Sequence, residues 1–225
     1  MYIAPQNRIP FPRASETARL TDPDRSRVTI GFPAVRPLVY ESGGLRDVYI
    51  ATLGIAAAAE LALQVRTRSE GARDPSYAWM LAGSFAGVTL AFAAAGVHDR
   101  LPGPRWLPAV AGIAAMWAGF GLRAWAVRTL GRFFRVEVTV DTGQTVVDTG
   151  PYARVRHPSY TGLLVFYLGL GICLDSYLSV AAAVLLPLAA VVNRIAHEER
   201  TLRRELGEAY AAYSSRTRRL VPGVW

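Results

Sequence analysis

The feature that most constrains this chain is the gathering of its apolar residues into long blocks separated by charged gaps. Three blocks cover 48–65, 77–97 and 106–127, and a fourth apolar region covers 161–192. A helix needs about 20 apolar residues to cross a bilayer, and backbone in lipid must satisfy its own hydrogen bonds. The pattern therefore predicts an all-α integral membrane protein.

The fourth apolar region is too long for one span and too short for two full spans. It is interrupted at Leu174-Asp175-Ser176, which favours a tight hairpin of two short helices. We therefore expect about five transmembrane helices, the last two forming a short helical hairpin, and a helical C-terminal region beyond them.

The chain divides into three predicted parts. Residues 1–46 form a polar, Pro-rich N-terminal arm, and residues 47–127 contain three transmembrane helices. Residues 128–225 contain a loop, the helical hairpin and C-terminal amphipathic helices, and we expect this part to be catalytic. Its polar residues are ordered into motifs, whereas those of the earlier parts are scattered.

The net charge is +8, and all 25 basic residues are arginine because the sequence contains no lysine. These arginines flank the apolar blocks, which favours contact with membrane lipids and argues against nucleic acid as a partner. Their excess after the third block predicts that the catalytic region faces the cytoplasm. The composition hints at a bacterial cytoplasmic membrane. With one cysteine, Cys173, and three histidines, we expect no metal site.

The first motif runs over 149–162 and contains Gly150-Pro151, a turn that redirects the chain. Arg156, His157 and Tyr160 stand at the start of an apolar helix, and Pro158 suits its first position. The free backbone donors of such a helix start can hold a carboxylate. A capped membrane helix with interfacial Arg, His and Tyr explains the same residues equally well.

The second motif is the run from Arg194 to Glu199. Arg194 and Glu198 are four residues apart and share one face of a helix, whereas Glu199 is displaced by about 100 degrees. An amphipathic surface helix with a charge pair is one interpretation. Two adjacent carboxylates near the bilayer surface also suit a site for a cationic group.

A family resemblance is carried by three stretches in order, GPYARVRHPSYTG, RIAHEERTL and LGEAYAAYSSRTRRLVPGVW. They resemble the isoprenylcysteine carboxyl methyltransferase family and its phospholipid-methyltransferase-like relatives, over residues 144–225. The resemblance implies a membrane methyltransferase that uses S-adenosyl-L-methionine, bound by the cytoplasmic C-terminal region. The implied cofactor-binding positions are Gln144, Thr145, Val146, Val147, Tyr152, His157, Pro158, Ser159, Tyr160 and Glu198. Gln144 departs from the family, which often has His at that position.

The resemblance also implies that Arg194 binds the substrate and is catalytic. A carboxylate acceptor needs no general base, so Arg194 would orient it. A hydroxyl or amine acceptor would need a base, for which Glu199 and His157 are the nearby candidates.

The expected partners are membrane lipids and a lipophilic substrate that enters from the bilayer, while the oligomeric state is left open. The acceptor would be an isoprenylcysteine-type carboxylate or another lipid carboxyl or hydroxyl group. One alternative is a phospholipid N-methyltransferase of the phosphatidylethanolamine type. Another is a non-catalytic membrane scaffold that retains the fold.

Overall fold

Five long helices organise the protein in its structure, a computed structural model that describes residues 36–67, 75–97, 99–134 and 145–225. In chain order they are α1 (Gly43–Thr67), α2 (Pro75–Ala94), α3 (Trp106–Leu130), α4 (Pro158–Cys173) and α5 (Tyr177–Arg216). A one-turn helix, Leu38–Glu41, precedes α1. Short 3-10 helices follow α3 at Gly131–Phe133 and precede α4 at Gly150–Ala153. The predicted all-α membrane architecture is confirmed in the described residues.

Four of these helices, α1, α2, α3 and α5, are long and apolar enough to cross a membrane, whereas α4 has only 16 residues. Each of the first three apolar blocks lies mainly within one helix, and the fourth apolar region spans α4 and α5. The predicted number of five spans therefore stays a prediction, because α4 is shorter than a typical span. Most of the predicted N-terminal arm, residues 1–35, lies outside the described residues.

The hairpin turn is confirmed, but its second arm is not short. Helix α4 ends at Cys173, and the side chain of Ser176 accepts a hydrogen bond from the Ser179 N–H to begin α5. Helix α5 runs far beyond the apolar region, to Arg216, as two helical segments joined across a kink at Gly207. The polar residues after position 193 are strong helix formers, so the expected C-terminal helical region continues directly from the second arm of the hairpin. Within α5 the backbone departs from helical angles at Gly207, where φ is +53°.

Glycines bring the backbones of α3 and α4 into direct contact. A Cβ atom on Gly119 would lie 2.5 Å from the Gly162 carbonyl oxygen, and one on Gly112 would lie 2.6 Å from the Gly169 carbonyl oxygen. Such distances leave no room for a side chain, so the two helices need glycine at both levels. Gly83 and Gly87 allow α2 to approach α5 in the same manner.

The C-terminal segment folds back onto the start of α4. Val155 and Arg218 form an isolated parallel β-bridge. The N–H of Arg156 donates to the Arg218 carbonyl at 2.7 Å, and that of His157 donates to the Arg219 carbonyl at 3.0 Å. The residues immediately before α4 are thereby fixed to the C-terminal segment.

The carboxylate of Glu199 ties these segments to α5. Arg156 donates to its Oε1 at 2.9 Å, Arg219 donates twice to its Oε2 at 3.0 and 3.1 Å, and His157 Nε2 lies 3.4 Å from Oε1. The Glu199 side chain is almost completely buried. These four residues are called the Glu199 cluster below. Hydrogen bonding to Glu199 raises the pKa of Arg219, so the guanidinium stays charged.

The glycine contact between α3 and α4 predicts that one of two neighbouring substitutions destabilises the protein and the other does not. Gly119→Ala should lower the free energy of unfolding by about 1–3 kcal/mol, because its methyl group would overlap the α4 backbone. Gly121→Ala is the matched control, since nothing lies within 4 Å of its Cβ position. Thermal unfolding in detergent should show the control unchanged or slightly stabilised through helix propensity. Equal destabilisation of both variants would contradict the proposed packing.

The Glu199 cluster predicts a large loss of stability on removal of its anion. Glu199→Ala should cost about 3–5 kcal/mol, because it leaves buried cationic groups uncompensated. Glu205→Ala is the control, since Glu205 pairs with Arg204 on the exposed surface of the same helix and such pairs contribute little. Unfolding by denaturant measures both, and proteolysis should release the segment after Arg216 sooner in Glu199→Ala. A stable Glu199→Ala variant would argue against the cluster.

Candidate active site

A cavity of mixed polarity, called the polar cavity below because charged and hydroxyl groups of both motifs line it, lies at the end of the bundle where α1 and α3 end and α2 and α4 begin. Side chains from α1, α2, α3, α4 and α5 and from the loop before α4 form its wall. Its lining residues are Glu60, Tyr77, Met80, Arg123, Leu130, Phe133, Phe134, Thr145, Val146, Val147, Tyr152, Arg156, His157, Ser159, Tyr160, Arg194, Glu198, Leu202, Leu206, Tyr210 and Tyr213. The two sequence motifs, far apart in the chain, therefore meet around one space.

The start of α4 supplies His157, Ser159 and Tyr160 to the cavity wall. Pro158 occupies the first helical position, as predicted. The N–H groups of Tyr160 and Thr161 both donate to the His157 carbonyl, and proline has none. At most the Ser159 N–H of this turn could therefore serve an anion, which is fewer donors than a free helix start offers.

A chain of hydrogen bonds joins the second motif to α4 and α2. The Tyr160 hydroxyl donates to Glu198 Oε2 at 3.0 Å and accepts from Arg194 Nε at 3.3 Å. Arg194 also donates to the Ser76 hydroxyl at 2.6 Å and is fully buried. Glu198, which is less buried, lies 3.9 Å from His157 Nδ1. The carboxylate of Glu198 and the guanidinium of Arg194 are thus bridged by a tyrosine hydroxyl.

Tyr152 and residues 145–147 form the side of the cavity contributed by the loop before α4. Tyr152 is buried, and its carbonyl accepts a hydrogen bond from the Tyr213 hydroxyl at 2.8 Å. Burial raises the pKa of Tyr152, so its phenol stays neutral at physiological pH. A neutral aromatic ring at this position suits a flat or cationic group.

Of the predicted site residues that the structure describes, two are not found in the cavity wall. Glu199 and Pro158 are buried behind it, and Gln144 lies outside the described residues. Glu199 already accepts hydrogen bonds from two arginines in its cluster. A carboxylate held in this way is a poor proton acceptor, so the geometry does not favour Glu199 as a general base.

Two charged residues from the first and third apolar blocks, Glu60 and Arg123, also line the cavity. Arg123 donates to both carboxylate oxygens of Glu60, at 2.8–3.1 Å, and to the Ser159 hydroxyl at 2.6 Å. Arg123 is the single charge within its apolar block, which is the signal that could have identified it.

Glu60 and Arg123 also line a second, mostly apolar cavity of about 590 Å³. It lies between α1, α3 and α4, and its wall includes Leu53, Phe120 and Phe166. This volume is in the range of ligand pockets. The polar and apolar cavities therefore adjoin each other at one ion pair.

The hydroxyl of Tyr210 is a further feature of the cavity that the sequence did not single out. Its side chain is buried in the wall of the polar cavity. Among the described residues, no hydrogen-bond partner for this hydroxyl is found. Buried hydroxyls are normally bonded, so Tyr210 is suited to contact a ligand there.

Comparison with known proteins connects this cavity to one family. Residues 112–204 match the model of the isoprenylcysteine carboxyl methyltransferase (ICMT) family. Protein-S-isoprenylcysteine O-methyltransferase B of Arabidopsis thaliana is 30% identical over 115 residues, which cover 50% of this chain and 58% of that protein. A probable protein-S-isoprenylcysteine O-methyltransferase of Oryza sativa subsp. indica is 29% identical over 121 residues, covering 53% and 63%. The matches thus span less than two thirds of these relatives.

The fold is similar to that of a solved structure, the eukaryotic intramembrane Ras methyltransferase ICMT. The TM-score is 0.57 at 22% identity, over 80% of this chain and 67% of the other. This likeness concerns the fold. Together with the family match, it confirms the resemblance that the motifs carried. The segment that matches the family model, residues 112–204, supplies most of the polar cavity's lining.

Proposed function

We propose that this protein transfers a methyl group from S-adenosyl-L-methionine to a lipophilic acceptor that enters from the bilayer. The observation that carries the proposal is the adjacency of the two cavities. A polar cavity lined by the motif residues meets an apolar cavity between membrane helices, and Arg123 lines both. A charged cosubstrate and an apolar one could therefore meet at this position.

The residues of the polar cavity suit the chemical groups of S-adenosyl-L-methionine. When bound, this cosubstrate would supply an electrophilic methyl group on a sulfonium. Glu198 can pair with its ammonium group, and the rings of Tyr152 and Tyr160 can contact the adenine or the sulfonium. Its carboxylate can be held by His157 and Arg156. The unpartnered Tyr210 hydroxyl fits a polar ligand better than an empty apolar space.

The acceptor side is best suited to a carboxylate. Arg123 and Arg194 both line the polar cavity, and an arginine fork binds a carboxylate through two parallel hydrogen bonds. We propose that an isoprenylcysteine-type acid places its carboxylate at Arg123 or Arg194 and its apolar chain in the second cavity. Alignment of the two reactants in line is the main contribution of the protein.

A carboxylate acceptor is consistent with the position of Glu199. Methylation of a carboxylate requires no proton transfer, so no general base is needed. Glu199 then acts by holding Arg156 and His157 in place, and not by accepting a proton. An amine or hydroxyl acceptor would need a base, and His157 is the candidate that lines the cavity.

The protein's environment follows from the same reasoning. It is an integral membrane protein, and we propose that the polar cavity faces the cytoplasm, because arginines are concentrated at that end. The relatives matched are plant proteins and the solved structure is eukaryotic. They lend no support to a bacterial source.

Cofactor binding tests the first half of the proposal. Isothermal calorimetry on detergent-purified protein should detect S-adenosyl-L-methionine binding that His157→Ala and Glu198→Ala weaken by about tenfold to a hundredfold, the usual loss for a charge-assisted hydrogen bond. His197→Ala and Glu205→Ala are the matched controls on the exposed face of α5 and should bind normally. Absence of binding by the unmutated protein would contradict the proposal and favour a non-catalytic scaffold.

Acceptor choice tests the second half. With a labelled methyl donor, label should enter an N-acetylated, S-prenylated cysteine as a base-labile methyl ester. Arg123→Gln should lower kcat/KM by about a hundredfold, because it removes the partly buried cation that is proposed to pair with the acceptor carboxylate. Arg132→Gln, an exposed arginine of the following 3-10 helix, is the control. Label appearing instead in phosphatidylethanolamine vesicles would support the N-methyltransferase alternative.

A further inference from the structure

The partner of Arg123 lies outside the family-matched segment. Glu60 is on α1, whereas the match covers residues 112–204. Its two carboxylate oxygens accept from Arg123 NH2 at 2.9 and 2.8 Å, and Oε2 also accepts from Nε at 3.1 Å. The fork that suits an acceptor carboxylate is therefore already filled by a carboxylate of the protein.

The two residues of this ion pair differ in how tightly the surrounding structure holds them. The Arg123 side chain is 13% exposed and Glu60 is 31% exposed. Arg123 is on α3, beside the backbone contact with Gly162 of α4, and its guanidinium also bonds Ser159. Of the 25 residues of α1, only Tyr49 and Thr52 are buried. Glu60 is therefore the partner that can move away.

An arginine between membrane helices requires a counter-charge. Leaving a partly buried guanidinium unpaired costs several kcal/mol, and Glu60 supplies the pairing carboxylate while the acceptor is absent. An acidic acceptor in the apolar cavity presents the same group to the same fork. A neutral acceptor that displaced Glu60 would leave Arg123 unpaired.

We infer that Glu60 is a specificity-determining residue, an internal counter-ion that an acidic acceptor displaces from Arg123. The inference rests on the proposed function. It assigns Glu60 no contact with the reacting atoms, because it acts by competing for Arg123. Its effect is to favour acceptors that carry a carboxylate over amines and phenols of the same apolar size.

The same competition favours release of the product. In the transfer, an acceptor oxygen forms a bond to the methyl carbon while the bond from that carbon to the sulfonium sulfur breaks. The carboxylate becomes a neutral ester, the sulfonium becomes a neutral thioether, and no proton moves. Arg123 then faces an uncharged ester, so Glu60 regains its place at the guanidinium and the ester is displaced.

The test compares Glu60→Gln with Glu60→Asp, which keeps the charge, and with Glu41→Gln, which removes an exposed pair with Arg105. Steady-state kinetics with the N-acetylated, S-prenylated cysteine should give Glu60→Gln a KM about three- to tenfold lower than the unmutated protein. The corresponding methyl ester should inhibit this variant more strongly, by a similar factor. Glu60→Asp and Glu41→Gln should keep both values close to those of the unmutated protein.

Thermal unfolding separates this role from a purely structural one. Glu60→Gln should unfold at a lower temperature without acceptor, and addition of the acid should stabilise it more than it stabilises the unmutated protein. A raised or unchanged KM in Glu60→Gln, with the unmutated protein active, would overturn the inference and leave the proposed function intact. Absence of methyl transfer by the unmutated protein to the acid would overturn both.

Discussion

The contact between the backbones of α3 and α4 is the constraint on which the rest of the site depends. A Cβ atom on Gly162 would lie 2.7 Å from the Arg123 amide nitrogen. The two helices are therefore in contact at the backbone of Arg123. This contact places the Arg123 guanidinium against Ser159, in the first turn of α4. In lipid, where no hydrophobic force drives helices together, such close packing is a main source of association. The polar cavity is therefore positioned by glycines that have no part in the proposed reaction.

Buried charges then fix the remaining parts around that contact. The Glu199 cluster joins α5, the loop before α4 and the C-terminal segment, which are distant in sequence. A buried carboxylate is costly unless cations and hydrogen bonds compensate it, so Glu199 strongly favours the one arrangement that brings Arg156, His157 and Arg219 together. The cost of separating them keeps His157 beside the cavity. The two adjacent carboxylates of α5 thus have different tasks, because Glu198 lines the cavity and Glu199 supports its wall.

Much of this could be predicted from the sequence, because hydrophobic patterning and local motifs are short-range information. The apolar blocks identified the helices, and the motif residues Tyr152, His157 and Glu198 do lie around one cavity. The length of α5 could not be read from hydropathy, since helix propensity continues where the apolar pattern stops. Glu60 and Arg123 were missed because their pairing joins residues 63 positions apart, and each alone is also explained by headgroup contact. Adjacent carboxylates such as Glu198 and Glu199 differ only in the helix face that they occupy.

The segment that matches the family model and the segments outside it contribute to different cavities of the site. Residues 112–204 supply most of the polar cavity, where the methyl donor is proposed to bind. The apolar cavity instead draws much of its wall from α1, which lies outside that segment and buries few of its side chains. A loosely packed helix can change its sequence with little loss of stability, since few of its residues touch the core. Changes in α1 would therefore leave the proposed donor site intact, and Glu60, by which α1 bonds Arg123, would couple the proposed acceptor choice to the polar cavity.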